Sequence, residues 1–295
     1  MGTYETEMYK AKVYRMEEHV CRICGKRNIN KTYTAKEMMY GTRKEFEYFV
    51  CENCKCMQIA KIPENLEDYY GDNYYSFEER EKTDFKGEGN VVAKVLDVGC
   101  GTGKWLLEQA GKGYGNLYGC DPFIQEDIRY GNRIFIKKCE ISEMEDEFDM
   151  IRFGDSFEHI DNPLQTLQSV KRLLKENGKC EIRIPIFPNT AWDTFGVNWY
   201  QLDAPRHIFL HSKESMRYLC KESGLKIENI VYDSDLFQFL MSYLYTEGIH
   251  LKKAEELLST IFLLNWDAVD PFIKAAKESN EKKYGDHAVF TIVHE

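Results

Sequence analysis

Val95-Leu96-Asp97-Val98-Gly99-Cys100-Gly101-Thr102-Gly103 is the stretch on which the fold turns. Before and into it, Val91 to Val98 is short, apolar and β-branched; after it Trp105, Leu106, Leu107 and Ala110 recur at helical spacing. Strand, glycine turn and helix form the opening unit of an α/β sheet that takes a ligand at the carboxyl end of its first strand. The glycines let that ligand approach the backbone closely. A single glycine turn is weak, so the elements that follow decide its meaning.

Asn116 to Cys120 reads as a second strand ending in Asp121-Pro122, which puts a carboxylate 18 residues after Gly103. Folds of this kind hold a ribose by its hydroxyls with an acid at that place. Ile134 to Lys138 is a third strand, followed by Glu140-Ile141, and Phe148 to Phe153 a fourth, leading to Asp155 and Glu158-His159. Asp161 or Asn162 can cap a helix with Pro163 in its first turn, and Leu164, Leu167, Val170 and Leu174 form its buried stripe. Asn177-Gly178 ends that helix, and Lys179 to Ile186 reads as strand five. A helical insertion over residues 236–283 precedes the last strand, Ala288 to Val293, and suits either a substrate wall or a dimer face. Monomer and homodimer both stay open.

Nearer the start, Cys21-Arg22-Ile23-Cys24 and Cys51-Glu52-Asn53-Cys54 are two CxxC knuckles. A two-residue gap lets both thiolates of a pair face one cation, and two pairs complete a tetrahedral sulfur shell. Thr32 to Tyr40 and Glu45 to Val50, rich in aromatic and β-branched residues, read as short strands between them. Cys21, Cys24, Cys51 and Cys54 are therefore expected to hold a structural Zn2+, with Cys56 and His19 as weaker rivals. A redox reading of CxxC would need a βαβ context that this segment lacks. The chain then divides into a zinc-ribbon module at 1–62, an aromatic-rich linker at 63–90 and an α/β domain at 91–295.

The chain has 295 residues, 39 Lys and Arg against 49 Asp and Glu, and a formal net charge of −10. Residues 19–62 hold nine basic and four acidic side chains, +5, which leaves −15 for the rest. An acidic body argues against nucleic acid as its main partner, because phosphate contacts need a basic face. No apolar run approaches the ~20 residues that span a bilayer. Ten cysteines would form a disulfide framework in a short secreted chain. This chain is long and Met1 to Lys10 is polar and acidic, unlike a signal peptide, so a cytoplasmic, reducing setting is expected.

The chain resembles the class I S-adenosylmethionine-dependent methyltransferases. VLDVGCGTG (Val95 to Gly103) is similar to their first motif, whereas a nicotinamide site would usually show GxGxxG. The likeness continues through FDMIRFGDSFEHI (Phe148 to Ile160) and LLKENGKCEIRIP (Leu173 to Pro185). WYQLDAPRHIFLHS (Trp199 to Ser212), SDLFQF (Ser234 to Phe239) and GDHAVFTIV (Gly285 to Val293) resemble the subgroup acting on small molecules and sugars. The resemblance implies an α/β fold with a Rossmann-like seven-stranded sheet and helices on both faces, preceded by the small zinc ribbon. It implies that Asp97, Gly99, Gly101 and Gly103 line the methionine and ribose end of S-adenosylmethionine. Asp121 would accept from the ribose hydroxyls, Glu140 and Ile141 would flank the adenine, and Asp155 and Ser156 would lie near the sulfonium. The family usually has Gly-Asp where Cys139-Glu140 stands here.

Methyl transfer from a sulfonium to a hydroxyl needs an oriented acceptor and a group to take its proton. Histidine suits that task because it titrates near neutrality. His159 follows strand four, and His207 follows Pro205-Arg206 in the loop after strand five, so these two are the candidate bases. Arg206 is an alternative holder of an anionic acceptor. Tyr69-Tyr70-Gly71-Asp72-Asn73-Tyr74-Tyr75 could cover a sugar ring or sulfonium, or simply pack as a linker. The expected activity is methyl transfer to a small-molecule acceptor, a sugar or nucleotide-sugar hydroxyl or carbon. The rival readings are an RNA methyltransferase reading RNA with its ribbon, and a non-catalytic partner that keeps the cofactor fold.

Overall fold

The structure, a computed structural model, describes residues 13–70, 85, 89–264 and 269–295, with side chains for all of these except 258–264. The expectations for Tyr74, Tyr75 and most of the linker therefore lie outside the described residues. Two compact units share the chain. One comprises residues up to Tyr69 together with Pro185–Met216 and Val231–Ala288; the other comprises Tyr70–Ile184, Arg217–Ile230 and Val289–Glu295.

The second of these units contains the glycine turn. Its sheet is built from β5 (Val91–Val98), β6 (Tyr114–Cys120), β7 (Ile128–Tyr130), β8 (Ile134–Lys137), β9 (Phe148–Gly154), β10 (Leu174–Pro185), β12 (Leu225–Tyr232) and β13 (His287–His294). The spatial order is β12-β13-β10-β9-β5-β6-β8-β7. Strands β8, β6, β5, β9 and β10 pair in parallel, so the order reverses at β5, where the chain leaves for β6 on one side and later returns to β9 on the other. Ligands bind such sheets at that switch point. The Rossmann-like α/β class is thus the observed one, with β7 added antiparallel to β8 as an eighth strand.

Helix α1 (Lys104–Gly111) packs on β6 and β8. Leu106 and Ala110 bury their side chains with Val95, Leu117, Ile134 and Ile136 in one apolar cluster. Helix α2 (Pro163–Leu173) starts on Asn162 with proline in its first turn and buries Leu167, Val170 and Leu173. It ends earlier than expected: Leu174 is already extended and opens β10, whose register against β9 shifts before Lys179.

The other unit is built on a five-stranded sheet, β1 (Arg15–Val20), β2 (Arg27–Lys36), β3 (Glu45–Val50), β4 (Met57–Ile59) and β11 (Phe209–Leu210), in that order and antiparallel throughout. Its first four strands carry the two CxxC knuckles. The fifth comes from the segment that directly follows Pro205-Arg206-His207. Ile59 N–H donates to the Ile208 carbonyl, Cys56 Sγ to the Leu210 carbonyl, and Ser212 Oγ to the carbonyl of Cys54, at 3.1, 3.5 and 2.6 Å.

The same unit also contains α3 (Thr190–Phe195), α4 (Lys213–Ser223, in part), α5 (Leu236–Thr246), α6 (Leu251–Leu264) and α7 (Asp270–Glu281). The helical insertion is formed by the last three. Leu240, Met241, Leu244 and Tyr245 of α5 share a core with Ala254, Val269 and Met38, the last from the turn after β2. Among the described residues, this core takes up Leu240, Met241, Leu244 and Tyr245 of α5, while Phe237, Leu257 and Ile273 of the insertion stay exposed. Among the described residues no helix is long and apolar enough to cross a membrane.

Candidate functional site

The sulfur atoms of Cys21, Cys24, Cys51 and Cys54 lie within 4.8 Å of one another, Cys21 to Cys54 at 3.5 Å and Cys24 to Cys51 at 3.7 Å. A tetrahedral cation with metal–sulfur bonds of about 2.3 Å has sulfur atoms about 3.8 Å apart, so the donor set fits one Zn2+. Both knuckles have the same build. The residue after the second cysteine donates its N–H to the carbonyl of the first, Gly25 to Cys21 and Lys55 to Cys51, each at 2.9 Å. That closure needs a left-handed residue, with φ of 68° at Gly25 and 59° at Lys55. Hydrogen bonds from Cys21 and Cys54 lower the Cys51 thiol, whereas those from Cys21 and Cys51 raise Cys54. A divalent cation held there would bind the four sulfurs as thiolates, displacing their protons.

Gln58 completes the centre. Its side chain is buried, donates from Nε2 to Cys21 Sγ at 3.1 Å and accepts the Arg22 N–H at 3.0 Å. The rivals are placed elsewhere: Cys56 bonds to backbone carbonyls, and His19 stacks on Phe49 with its Nε2 3.0 Å from Thr32 Oγ1.

In the sheet unit, Gly99, Gly101 and Gly103 all have positive φ, 71°, 52° and 87°. A Cβ on Gly99 would sit 2.6 Å from the Ser156 Cβ, and one on Gly103 2.5 Å from Ile136 Cδ1. The turn therefore requires glycine for both conformation and space. Gly99→Ala is expected to lower the unfolding free energy by about 1–3 kcal/mol. A denaturant midpoint unchanged from the parent would show instead that the turn relaxes freely. Asp121 Oδ2 accepts the Gly101 N–H and Oδ1 the Phe123 N–H, both at 2.9 Å. A carboxylate offers about four acceptor positions, so Asp121 braces the turn and retains capacity for hydroxyl donors. Burial raises its pKa.

Ser156 Oγ donates to the Val98 carbonyl at 2.7 Å, which ties the end of β9 to the end of β5. Asp155 has φ 54° and pairs with Arg183 Nη1 at 2.7 Å. Glu140 and Ile141 line a cavity of about 250 Å³ with Ile160, Asp161, Asn162 and Gln165. Burial raises the Glu140 carboxyl, and the acidic neighbours Asp161, Glu143 and Asp121 add to the shift. Asp97 is buried at the end of β5, where its Oδ1 accepts from Arg152 Nη1 at 2.9 Å. Burial pushes its pKa up to about 6, against the pull of Arg152.

His159 belongs to this unit, in the short turn Phe157–His159, and its Nδ1 lies 3.2 Å from the Tyr70 hydroxyl. His207 belongs to the other unit. Its Nδ1 is 2.8 Å from the Gln201 carbonyl, which only accepts, so Nδ1 carries the proton and the neutral ring has its lone pair on Nε2. The Tyr48 hydroxyl fixes the backbone there by donating to the His207 carbonyl at 2.9 Å. Arg206 does not offer its fork to an acceptor. It is fully buried and donates to both Asp203 oxygens, to Glu37 Oε1 and to the Tyr69 carbonyl.

The spacing of glycines, acids and cysteines marked the turn, the braces and the sulfur cluster. It did not mark Gln58, Arg152, Arg183 or Glu37. For Arg152 a signal existed: Asp97 ends an apolar strand, and a buried carboxylate calls for a cationic partner.

A family model described as a methyltransferase domain matches residues 71–230, more than half of the chain, and the chain belongs to that family. No curated protein matches it. Among solved structures it is similar to the geranyl diphosphate C-methyltransferase of Streptomyces coelicolor A3(2), solved with Mg2+, geranyl diphosphate and S-adenosyl-L-homocysteine. There the identity is 13% and the TM-score 0.45, over 71% of this chain and 75% of that one. The mitomycin 7-O-methyltransferase MmcR gives 12% and 0.44 over 69% of this chain; the match spans about half, 49%, of that enzyme's length. The 1,6-didemethyltoxoflavin-N1-methyltransferase of Burkholderia thailandensis gives 15% and 0.40, over 69% and 71%.

Proposed function

We propose that this chain is an S-adenosylmethionine-dependent methyltransferase of the small-molecule type, acting on a hydroxyl or carbon of a sugar or nucleotide sugar. Residues 1–62 are its zinc-ribbon module, residues 63–90 a linker and residues 91–295 the transferase domain. The observation that carries the reading is the glycine turn, closed to any side chain at Gly99 and Gly103 and braced from below by Asp121. Asp97, Gly99, Gly101, Gly103, Asp121, Glu140, Ile141, Asp155 and Ser156 hold the cofactor in this reading. Cys21, Cys24, Cys51 and Cys54 hold a structural zinc.

S-adenosylmethionine supplies a methyl group on a sulfonium, ready for in-line displacement. The chain's own task is to orient the acceptor and take its proton. His207, with Nδ1 against the Gln201 carbonyl and Nε2 3.9 Å from Asp203 Oδ2, is the first candidate; His159, next to the Tyr70 hydroxyl, is the second. Substituting the base should lower kcat by about 10²–10⁴-fold on a hydroxyl acceptor. The test is transfer of label from S-adenosylmethionine to a panel of nucleotide sugars by the parent, His207→Ala and His159→Ala chains. Labelling of none of them, with labelling of RNA, would replace this reading with the second one. If neither variant loses activity, the histidine base falls while the acceptor class stands.

RNA as acceptor rests on the +5 charge of residues 19–62. Much of that charge is engaged within the protein. Arg22 donates to the Ile59 carbonyl and lies over Phe209, Arg43 donates to Gly248, and Lys31 and Lys44 lie over tyrosine rings. Arg27, Lys36 and Lys55 face Glu18, Glu45 and Glu52. A ribbon so occupied favours the small-molecule reading.

A further inference from the structure

Arg152 stands where an apolar residue would be expected, between buried Ile151 and Phe153 in the middle of the parallel sheet. It is the register partner of Asp97 across β5 and β9. Its guanidinium reaches forward toward the carboxyl ends of the strands. A Cβ on Gly154 would collide with it, and its central carbon lies 4.5 Å from the centre of the Trp105 ring, in the first turn of α1. Asp97, Gly154 and Trp105 therefore enclose a cation beside the glycine turn. The Arg152 side chain remains 19% exposed, against 4% for Asp97. Among the described residues Asp97 is its one hydrogen-bond partner, through Nη1 alone. The rest of a five-donor fork is left for something else.

Three acids stand around the turn, Asp97, Asp121 and, beyond them, Glu140, while the one cation next to it in the chain, Lys104, is exposed to solvent. An anion brought to such a place needs a compensating cation. Arg183 is already bonded to Asp155 at 2.7 Å, so it is the less available of the two arginines. We propose that Arg152 binds the carboxylate of the cofactor's methionine moiety, with Asp97 beside it turned to the ammonium group. Side by side, guanidinium and carboxylate match an amino-acid zwitterion charge for charge. Arg can make this contact bidentately while keeping Asp97 neutralised, which a lysine cannot do as well. The proposal rests on the S-adenosylmethionine reading and adds a residue to it.

Calorimetric titration of the full chain with S-adenosylhomocysteine and with 5′-methylthioadenosine tests it, because the second ligand lacks the amino-acid group. Arg152→Met should bind S-adenosylhomocysteine about 10–100-fold more weakly. Its affinity for methylthioadenosine should stay within about twofold of the parent, which also shows that the variant is folded. Should that variant fail to fold, Arg152→Lys decides: a smaller loss confined to S-adenosylhomocysteine is the expected result. Equal weakening of both ligands, or of neither, overturns the proposal. So does a selective loss in Arg183→Met with none in the Arg152 variants. If the parent binds neither ligand, the cofactor reading itself fails, an outcome separate from any effect of Arg152.

Discussion

Arg206→Met should destabilise the protein by about 3–5 kcal/mol, the usual cost of removing one partner from a buried ion pair. Arg206 and Glu37 are both fully buried, 3.2 Å apart, and Asp203 takes two further bonds from the same guanidinium. Without the arginine, the fully buried Glu37 carboxylate would be left without its cation and beside the mostly buried one of Asp203. Glu37 is committed in other directions as well: its oxygens accept the N–H groups of Tyr40 and Thr42, each at 2.9 Å, and the Thr42 hydroxyl at 3.0 Å. Burial alone would pull the Arg206 pKa down, but Asp203 and Glu37 push it up on balance. Burial likewise raises the Glu37 carboxyl, and its hydrogen bonds and Arg206 more than offset that, so its folded pKa is lowered. A group lowered on folding stabilises fully above its unfolded value, about 4.3 for glutamate, and loses that contribution as the pH falls through the folded one. Urea titrations of the parent and Arg206→Met at neutral pH would measure the cost. A loss below about 1 kcal/mol would mean that the cluster is solvated and rearranges.

Stripping metal from the sulfur cluster should have the other large effect. Structural zinc contributes roughly 10–16 kcal/mol to the folding of small sulfur-ligated modules. Chelation, or Cys54→Ser, is expected to release one zinc per chain and to lower Tm by more than about 10 °C. Hydrogen exchange locates the damage. Leu210 and Phe209 pair with Met57 and Gln58, and Ser212 is bonded to the carbonyl of Cys54, so amides of β4 and β11 should lose protection first. Strands β5, β6 and β9 should keep theirs. A metal-free protein that melts at the same temperature would remove zinc from this description.

Much of this was legible because it depends on local spacing. The glycine turn, the acid after β6 and the paired cysteines are short patterns whose chemistry needs those residues within one or two turns of chain. The end of α2 was misjudged at Leu174, which fits the helical stripe equally well but is extended and begins β10. Periodicity cannot separate those two states at an element boundary. Arg206 was misjudged for a different reason. A Pro-Arg-His loop offers the same letters to a solvent-facing anion clamp and to a buried ion cluster, and Glu37, which decides between them, lies 169 residues away. Gln58 and Arg152 were missed because their partners are likewise set by the tertiary fold. Lys55 hid its role as the counterpart of Gly25, since a left-handed lysine carries no mark in the sequence.

The fifth strand of the ribbon sheet also has a consequence for synthesis. Cys56 and Leu210, hydrogen-bonded neighbours in that sheet, are 154 residues apart in the chain. At about 5–20 residues per second, β4 emerges from a ribosome roughly 8–30 s before the strand that covers it. For that interval the nascent ribbon has an open edge, apolar at Met57 and Ile59, which is the kind of edge that recruits foreign strands. Early metal capture by the four thiols would hold the first four strands in register while the edge waits for Phe209 and Leu210.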